Sequence, residues 1–365
     1  FLFNTLPYGF VFSSLDLFFL GKRNSRRFFR NYSKSKDGEF YEVGLKQGEE
    51  IKTTQLIKQL DFLESITANT DPLKAKKILT KLCPNLLDEL RGIANGLNIE
   101  LDTIIKLYSG YNVEFLSMGC TTFIQEDYYV RNYDFSPEVY DARIVISNPI
   151  DGYASIGFSQ NVIGRLDGMN EKGLVVGLHF VNDEHKGEGF LATTIVRLLL
   201  DQCSTIKEAV HFISTIPHRF CYNYSITDVS GEGVVVEASP DKQIVHTNNP
   251  LICTNHFESV TIQEKNKKTI HGSIERKEYV GRLVKEELSP IAAYQHFNDG
   301  NSPLFFKYYK EHFGTLHTVV YLPKDLSVII GVGENCEPVI FSLKEYLDGE
   351  VILPKVIKGL INRQG

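Results

Sequence analysis

The chain changes texture at one place, and that change decides most of what it can become. From Phe40 to Leu116 the apolar residues recur at spacings of three and four, as in residues 54–63 and 73–82, which is the period of helices with one buried stripe. From Cys120 onward they fall into short alternating runs instead: 120–125, 128–135, 143–146, 154–158 and 174–180. A helical segment therefore precedes a sheet whose first residue is a cysteine.

The rest of the chain follows the same grammar. Pro84 breaks the helical run, residues 86–97 form a helix closed by Asn95-Gly96, and residues 101–109 form another that ends at Gly110. Helices at 191–203 and 206–213 follow the first strands, the second introduced by a Ser204-Thr205 N-cap signal. Strands return at 221–228, 234–238 and 251–254, the first two joined by a hairpin turn at 230–233. Helical stretches at 273–287 and 291–297 lead to a last strand pair, 316–322 and 327–332, turned at Pro323-Lys324-Asp325. This order suits an α+β fold with helices on the outer faces of antiparallel sheets, not a βαβ repeat.

Composition narrows the function. With 42% hydrophobic residues the chain can bury a full core, and its formal net charge of -6 provides neither a basic face for nucleic acid nor a polybasic arm for an anionic membrane. The six cysteines are scattered without a C-x-x-C pair, which disfavours a zinc ribbon or a disulfide scaffold and points to a reducing, cytoplasmic setting. His179, Asp183 and His185 fit no metal-ligand spacing, and no glycine-rich phosphate loop is present, so neither a metal nor a cofactor is expected. Phe1 to Leu20 is apolar but interrupted by Asn4, Pro7, Ser13, Ser14 and Asp16, and a basic patch (Lys22, Arg23, Arg26, Arg27, Arg30) follows it. Residues 1–39 are read as a poorly ordered extension, since a spanning helix needs about 20 predominantly apolar residues.

Chemistry concentrates at Ser117-Met118-Gly119-Cys120-Thr121-Thr122-Phe123. Gly119 has no Cβ, so the backbone can bend there and the Cys120 sulfur can approach the carbonyl of Gly119. Attack would convert the peptide into a thioester, and water would release Cys120 with a free α-amine. That amine, with a reference pKa of about 7.7–8.0, can act as the base for its own thiol. The next strand returns Arg131 and Asp134 beside the cysteine, where Arg131 would acidify the thiol and Asp134 would hold the new amine.

Gly119-Cys120-Thr121-Thr122 together with Arg131-Asn132-Tyr133-Asp134-Phe135 resembles the catalytic start of the acyl-coenzyme A:6-aminopenicillanic acid acyltransferase family. That family groups with the choloylglycine hydrolases and penicillin V acylases among the N-terminal nucleophile hydrolases. Residues 41–48 and 89–94 resemble its propeptide, so the likeness covers most of the chain after about Phe40. The run Asp167-Gly168-Met169-Asn170-Glu171-Lys172-Gly173-Leu174 is similar to the family's turn into a strand carrying His179, whose backbone amide would help form the oxyanion hole. The family's second oxyanion element matches Cys253-Thr254-Asn255-His256-Phe257, with the Asn255 amide as donor, and Ser273-Ile274-Glu275-Arg276 resembles the element that sends Arg276 toward the nucleophile.

The resemblance implies a four-layer αββα N-terminal nucleophile sandwich. Residues 1–39 would be an extension, 40–119 a helical propeptide that becomes a small subunit after autocleavage between Gly119 and Cys120, and 120–365 the catalytic domain. It also implies an enzyme that hydrolyses or transfers acyl groups of nonpeptide amides or acyl thioesters, with its two fragments remaining associated and homo-oligomers allowed. Two other readings stay open: a papain-like thiol hydrolase using His256 or His317 as its base, and a noncatalytic ligand-binding member of the fold. Penicillins, N-acyl amino acids and N-acyl homoserine lactones stand as unranked substrates.

Overall fold

The structure, a computed structural model, describes residues 40–361 except 55, 58, 59, 115–117, 126, 248, 249, 269, 271, 352, 353 and 355, and the backbone of the short strands β1 (Ser25–Arg26) and β2 (Phe29–Asn31). The rest of the apolar N-terminal run and its basic patch lie outside the described residues. The helical period yields α1 (Phe40–Thr53), α2 (Leu60–Ile66), α3 (Pro72–Leu82), α4 (Pro84–Leu97) and α5 (Leu101–Tyr108). The helix expected over 54–63 is present only from Leu60, where α2 begins, since α1 ends at Thr53. Pro84 does not merely end a helix; it occupies the first turn of α4, where its missing N–H costs nothing.

The Asn95-Gly96 pair also behaves differently from its sequence reading. The helix α4 runs through it and stops at Asn98, which adopts a left-handed φ of 58°. Gly96 serves close packing: a Cβ there would lie 2.9 Å from the Cα of Gly48 on α1. Gly44 and Gly92 meet the facing backbones in the same way, so the two helices cross on glycine.

Beyond α5 come β3 (Gly119–Gln125), β4 (Tyr128–Phe135), β5 (Ile144–Ser147), β6 (Ser155–Gln160), β7 (Gly164–Asn170) and β8 (Val175–Asn182). Two helices, α6 (Ala192–Gln202) and α7 (Ile206–Thr215), precede β9 (Cys221–Thr227), β10 (Gly233–Ala238), β11 (Gln243–His246) and β12 (Leu251–Cys253). The chain ends with α8 (Ser273–Leu283), α9 (Pro290–Asn298), β13 (Gly314–Leu322), β14 (Ser327–Val332), β15 (Val339–Ser342), α10 (Leu343–Asp348) and β16 (Ile357–Lys358). The expected N-cap at Thr205 is present, its hydroxyl accepting from the Glu208 N–H at 3.3 Å. The sequence pattern does not anticipate β7, β11 or β15, and in place of β7 it suggests a turn.

Two sheets face each other. One has eight strands in the order β11-β10-β9-β8-β7-β6-β5-β2, and the other six in the order β12-β3-β4-β13-β14-β15. Pairing is antiparallel throughout these sheets except between β2 and β5. Helices α6 and α7 cover the outer face of the larger sheet, and α8 and α9 that of the smaller. The layers therefore run helix, sheet, sheet, helix, as expected. The strand bearing Cys120 pairs with β4 on one side and with β12, near the sheet edge, on the other. The segment 40–119 is tied to the sandwich by a buried ion pair, Arg197 Nη2 on α6 to Glu89 Oε2 on α4 at 2.7 Å.

Candidate active site

Strand alternation sorts the residues around Cys120 onto two faces. Cys120, Thr122, Tyr129, Arg131 and Tyr133 point between the sheets, as the hydrogen bond between the Tyr129 and Ser225 hydroxyls at 2.9 Å, the latter on β9, requires. Thr121, Asn132 and Asp134 point the other way, toward α8 and α9. Cys120 is wholly buried, and each of its polar atoms has a partner. Its N–H donates to Asn255 Oδ1 at 2.9 Å, its sulfur accepts from Arg131 Nη2 at 3.1 Å, and its carbonyl accepts from Arg276 Nη1 at 2.6 Å.

Arg276 is the corner of this arrangement. It reaches from the first turn of α8, is only 2% exposed, and donates also to Thr121 Oγ1 at 2.6 Å and Asn255 Oδ1 at 2.8 Å. Its charge stands 3.9 Å from Asp134 Oδ2, and Thr315 donates to the other oxygen of Asp134 at 2.6 Å. A guanidinium can only donate, so the Asn255 amide has one orientation. Its oxygen faces Cys120, and its nitrogen donates to the Phe180 carbonyl at 2.9 Å. In the intact chain the Asn255 nitrogen is therefore occupied, and its oxygen is what touches the cysteine, which differs from the oxyanion role implied by resemblance.

His179 lies in β8 beyond Gly177, the last β8 residue paired to β7. Its ring contacts Ser225 Oγ at 2.8 Å and Arg131 Nη1 at 3.4 Å. Burial first, then Arg131 and Arg276, hold the imidazole well below its ordinary range, so it is neutral at pH 7. Of the alternative bases, His317 is separated from Cys120 by Tyr133: Cys120 pairs with Tyr133, and Tyr133 with His317. Two strand spacings amount to about 9.6 Å. The Tyr133 ring stacks on His317 with centroids 5.3 Å apart, between the imidazole and the thiol. The Nδ1 of His256 is engaged with Ser273 Oγ at 2.8 Å and Thr254 Oγ1 at 3.2 Å.

Sequence reasoning misses the counter-charge of Arg131. Asp167, on the unanticipated β7, sits 2.9 Å from Arg131 Nε; both side chains are fully buried. Tyr321 donates to its Oδ1 at 2.7 Å, and His317 Nε2 lies 3.2 Å from Oδ2. Burial pushes the Asp167 carboxyl up, but His317, Arg131 and Tyr321 outweigh it and leave it below the usual carboxylate range. Motif reading treats Asp167-Gly168-Met169-Asn170 as a turn; a strand reading would have put Asp167 on the inward face.

Burial dominates the thiol as well. It pushes Cys120 up to about 11, against Arg131 and Arg276, which lower it, while Asp134 raises it further. The sulfur is a neutral thiol in the intact chain. Among the described residues, no group of three or more His, Cys, Asp or Glu could hold a metal ion: His179 turns to Ser225, and Asp183 pairs with Lys267 at 2.6 Å. No helix among the described residues is long and apolar enough to cross a membrane.

Comparison with known proteins gives a family and distant structural neighbours. The family described as acyl-coenzyme A:6-aminopenicillanic acid acyl-transferase matches residues 123–337, more than half of the chain. The match contains Arg131, Asp134, Asp167, His179, Asn255 and Arg276 and begins just after Cys120. A mutant of the conjugated bile acid hydrolase from Clostridium perfringens aligns at 15% identity and a TM-score of 0.40, over 68% of this chain and 100% of that one. Penicillin V acylase from Agrobacterium tumefaciens aligns at 16% identity and a TM-score of 0.36, over 62% and 86%. The N-acylethanolamine-hydrolyzing acid amidase ortholog of Caenorhabditis elegans aligns at 14% and 0.38, over 56% and 93%. No curated protein sequence matches significantly.

Proposed function

The chain belongs to the acyl-coenzyme A:6-aminopenicillanic acid acyltransferase family, and from that premise we propose that it is a cysteine N-terminal nucleophile enzyme. It cuts itself between Gly119 and Cys120 and then hydrolyses or transfers the acyl group of nonpeptide amides. The observation that carries this reading is the grip on Cys120: nitrogen, sulfur and carbonyl are held by Asn255, Arg131 and Arg276 from three different elements or loops. A core cysteine packed only for volume needs none of these partners.

In the first step Sγ forms a bond to the Gly119 carbonyl carbon, the Gly119–Cys120 C–N bond breaks, and the thiol proton ends on the Cys120 nitrogen. Water then cleaves the thioester, giving a Gly119 carboxylate and restoring the thiol. Asn255 Oδ1 already accepts from that nitrogen and is placed to hold it as an amine, with Asp134, the cross-strand partner of Gly119, on the other face of the strand. Departure of the upstream chain lets water reach the sulfur and lifts the burial that opposes its ionisation, while Arg131 stays. The free amine, ionising near neutrality, then serves as base toward substrate.

The proposal is tested by intact mass spectrometry of the wild type beside Cys120→Ala. Two fragments that divide at Gly119–Cys120 in the wild type only, and amide-hydrolysing or acyl-transferring activity confined to the divided protein, are expected. Full activity in a single uncut chain would refute it.

A further inference from the structure

Gly119 is extended backbone of β3 and not one of the glycines held in the left-handed region, so its glycine is not required by φ. It is required by space. A Cβ built on Gly119 would lie 2.9 Å from Phe313 Cζ, 3.0 Å from Asp134 Oδ2 and 3.1 Å from Asp134 Cβ, closer than packed carbon atoms come. The wall continues as an aromatic shelf. Phe313 packs on Phe306 with centroids 5.5 Å apart, and Phe306 packs on Tyr308 at 5.9 Å and lies beneath the Arg276 guanidinium at 5.2 Å. The preceding side chain, Met118, is apolar and 2% exposed.

We propose that Phe313 is a specificity-determining residue which, with Asp134, restricts the acyl group of the substrate to one whose α-carbon carries hydrogen where an L-residue has its Cβ and is continued by an apolar chain or ring. The inference rests on the self-cleavage reading above. Its logic is chemical. The thioester of the first step joins the Gly119 acyl group to Cys120 Sγ; the acyl-enzyme of the catalytic cycle joins the substrate acyl group to the same sulfur. The atoms that surround the α-carbon of Gly119 are those that meet the α-carbon of the substrate. A methyl group in the place of an L-residue's Cβ strikes the Phe313 ring and the Asp134 carboxylate; a second hydrogen fits. For a 2-methylhexanoyl group, with its butyl chain lying where the Gly119 nitrogen lies, that methyl belongs to the R enantiomer.

The cleaved protein is assayed with p-nitroanilides of hexanoic acid and of (R)- and (S)-2-methylhexanoic acid. Forced overpacking of this kind should lower kcat/KM for the R anilide on the order of 10- to 100-fold below the S anilide and the unbranched one. Phe313→Ala should narrow that gap by removing one of the two obstacles. Equal turnover of the two enantiomers would overturn the proposal. A second arm does not depend on any substrate: Gly119→Ala should slow the first cleavage by a similar factor, and Gly119→Ala combined with Phe313→Ala should recover part of it. Cleavage of Gly119→Ala at the wild-type rate would overturn the proposal even if no anilide is turned over. A wild-type chain that never divides would instead remove the self-cleavage reading, and the selectivity with it.

Discussion

Replacing Asp167 by Asn removes one charge and almost no volume, and the structure says what that charge holds. Asp167 and Arg131 are an ion pair at 2.9 Å with both side chains at 0% exposure, so salt cannot screen it. Leaving Arg131 buried without its partner should cost about 3–5 kcal/mol, a large part of the ~5–15 kcal/mol that stabilises an ordinary domain. The Tyr321 hydrogen bond can survive, since an amide oxygen accepts as well, so the loss belongs to the other oxygen and its contacts with Arg131 and His317. Urea unfolding is best compared in a Cys120→Ala background, where both proteins stay uncut. The pH dependence supplies an internal check. The folded-state carboxyl ionises below its ordinary range, so its contribution is fully present above the unfolded value of about 3.9 and is lost as pH falls through the folded value. The gap between the two proteins should therefore be widest at neutral pH and close in acid. Because Arg131 donates to the thiol at 3.1 Å, Asp167→Asn in the Cys120 protein should also slow self-cleavage. Equal stability at pH 7 together with wild-type cleavage would refute the reasoning.

Other outcomes follow from the same contacts. Asn255→Ala removes the acceptor shared by the Cys120 N–H and Arg276, and cleavage followed by mass spectrometry should slow by about 100-fold, the scale set by loss of one preorganised polar group. Alkylation of Cys120 by iodoacetamide should be slow in uncut protein, where the thiol is wholly buried and pushed up to about 11, whereas in cut protein it should be faster and level off at lower pH; peptide mapping measures both. Glu89→Gln removes one of the two carboxylates that pair with Arg197, Asp201 remaining at 2.8 Å, and should cost about 1–3 kcal/mol, so that in cut protein the two fragments separate at lower urea in size-exclusion runs.

What can be read from the sequence depends on the kind of interaction involved. Period and turn chemistry are local, so the switch from helices to strands at residue 120, the Thr205 cap and the hairpin at 230–233 are legible. Gly96 reads as a helix end because the reason for a glycine there is another backbone, that of Gly48 on a separate helix. β7 resembles a turn because its Gly, Asp and Asn residues are turn formers, and only burial between two neighbouring strands makes them extended. The site residues Cys120, Arg131, Asp134, Asn255 and Arg276 do meet in space, but Arg276 alone gives no sign of burial, since Glu275 and Glu278 beside it suggest an exposed helix face. Asp167 is invisible as a site residue for a related reason: nothing local marks which carboxylate will neutralise a given guanidinium.

The grip on Cys120 also fixes a moment in the life of the chain. Its donors and acceptors are contributed by residues 131, 255 and 276, so a ribosome that has not yet released Asn255 and Arg276 has made the Gly119–Cys120 bond but not the residues proposed to cut it. The cut, as proposed, thus records that synthesis has passed α8 and that Arg276 has docked on β3. A pulse-labelled chain truncated before Ser273 should stay whole indefinitely, and the appearance of the new amino terminus in cells would count molecules synthesised past α8 and omit shorter ones.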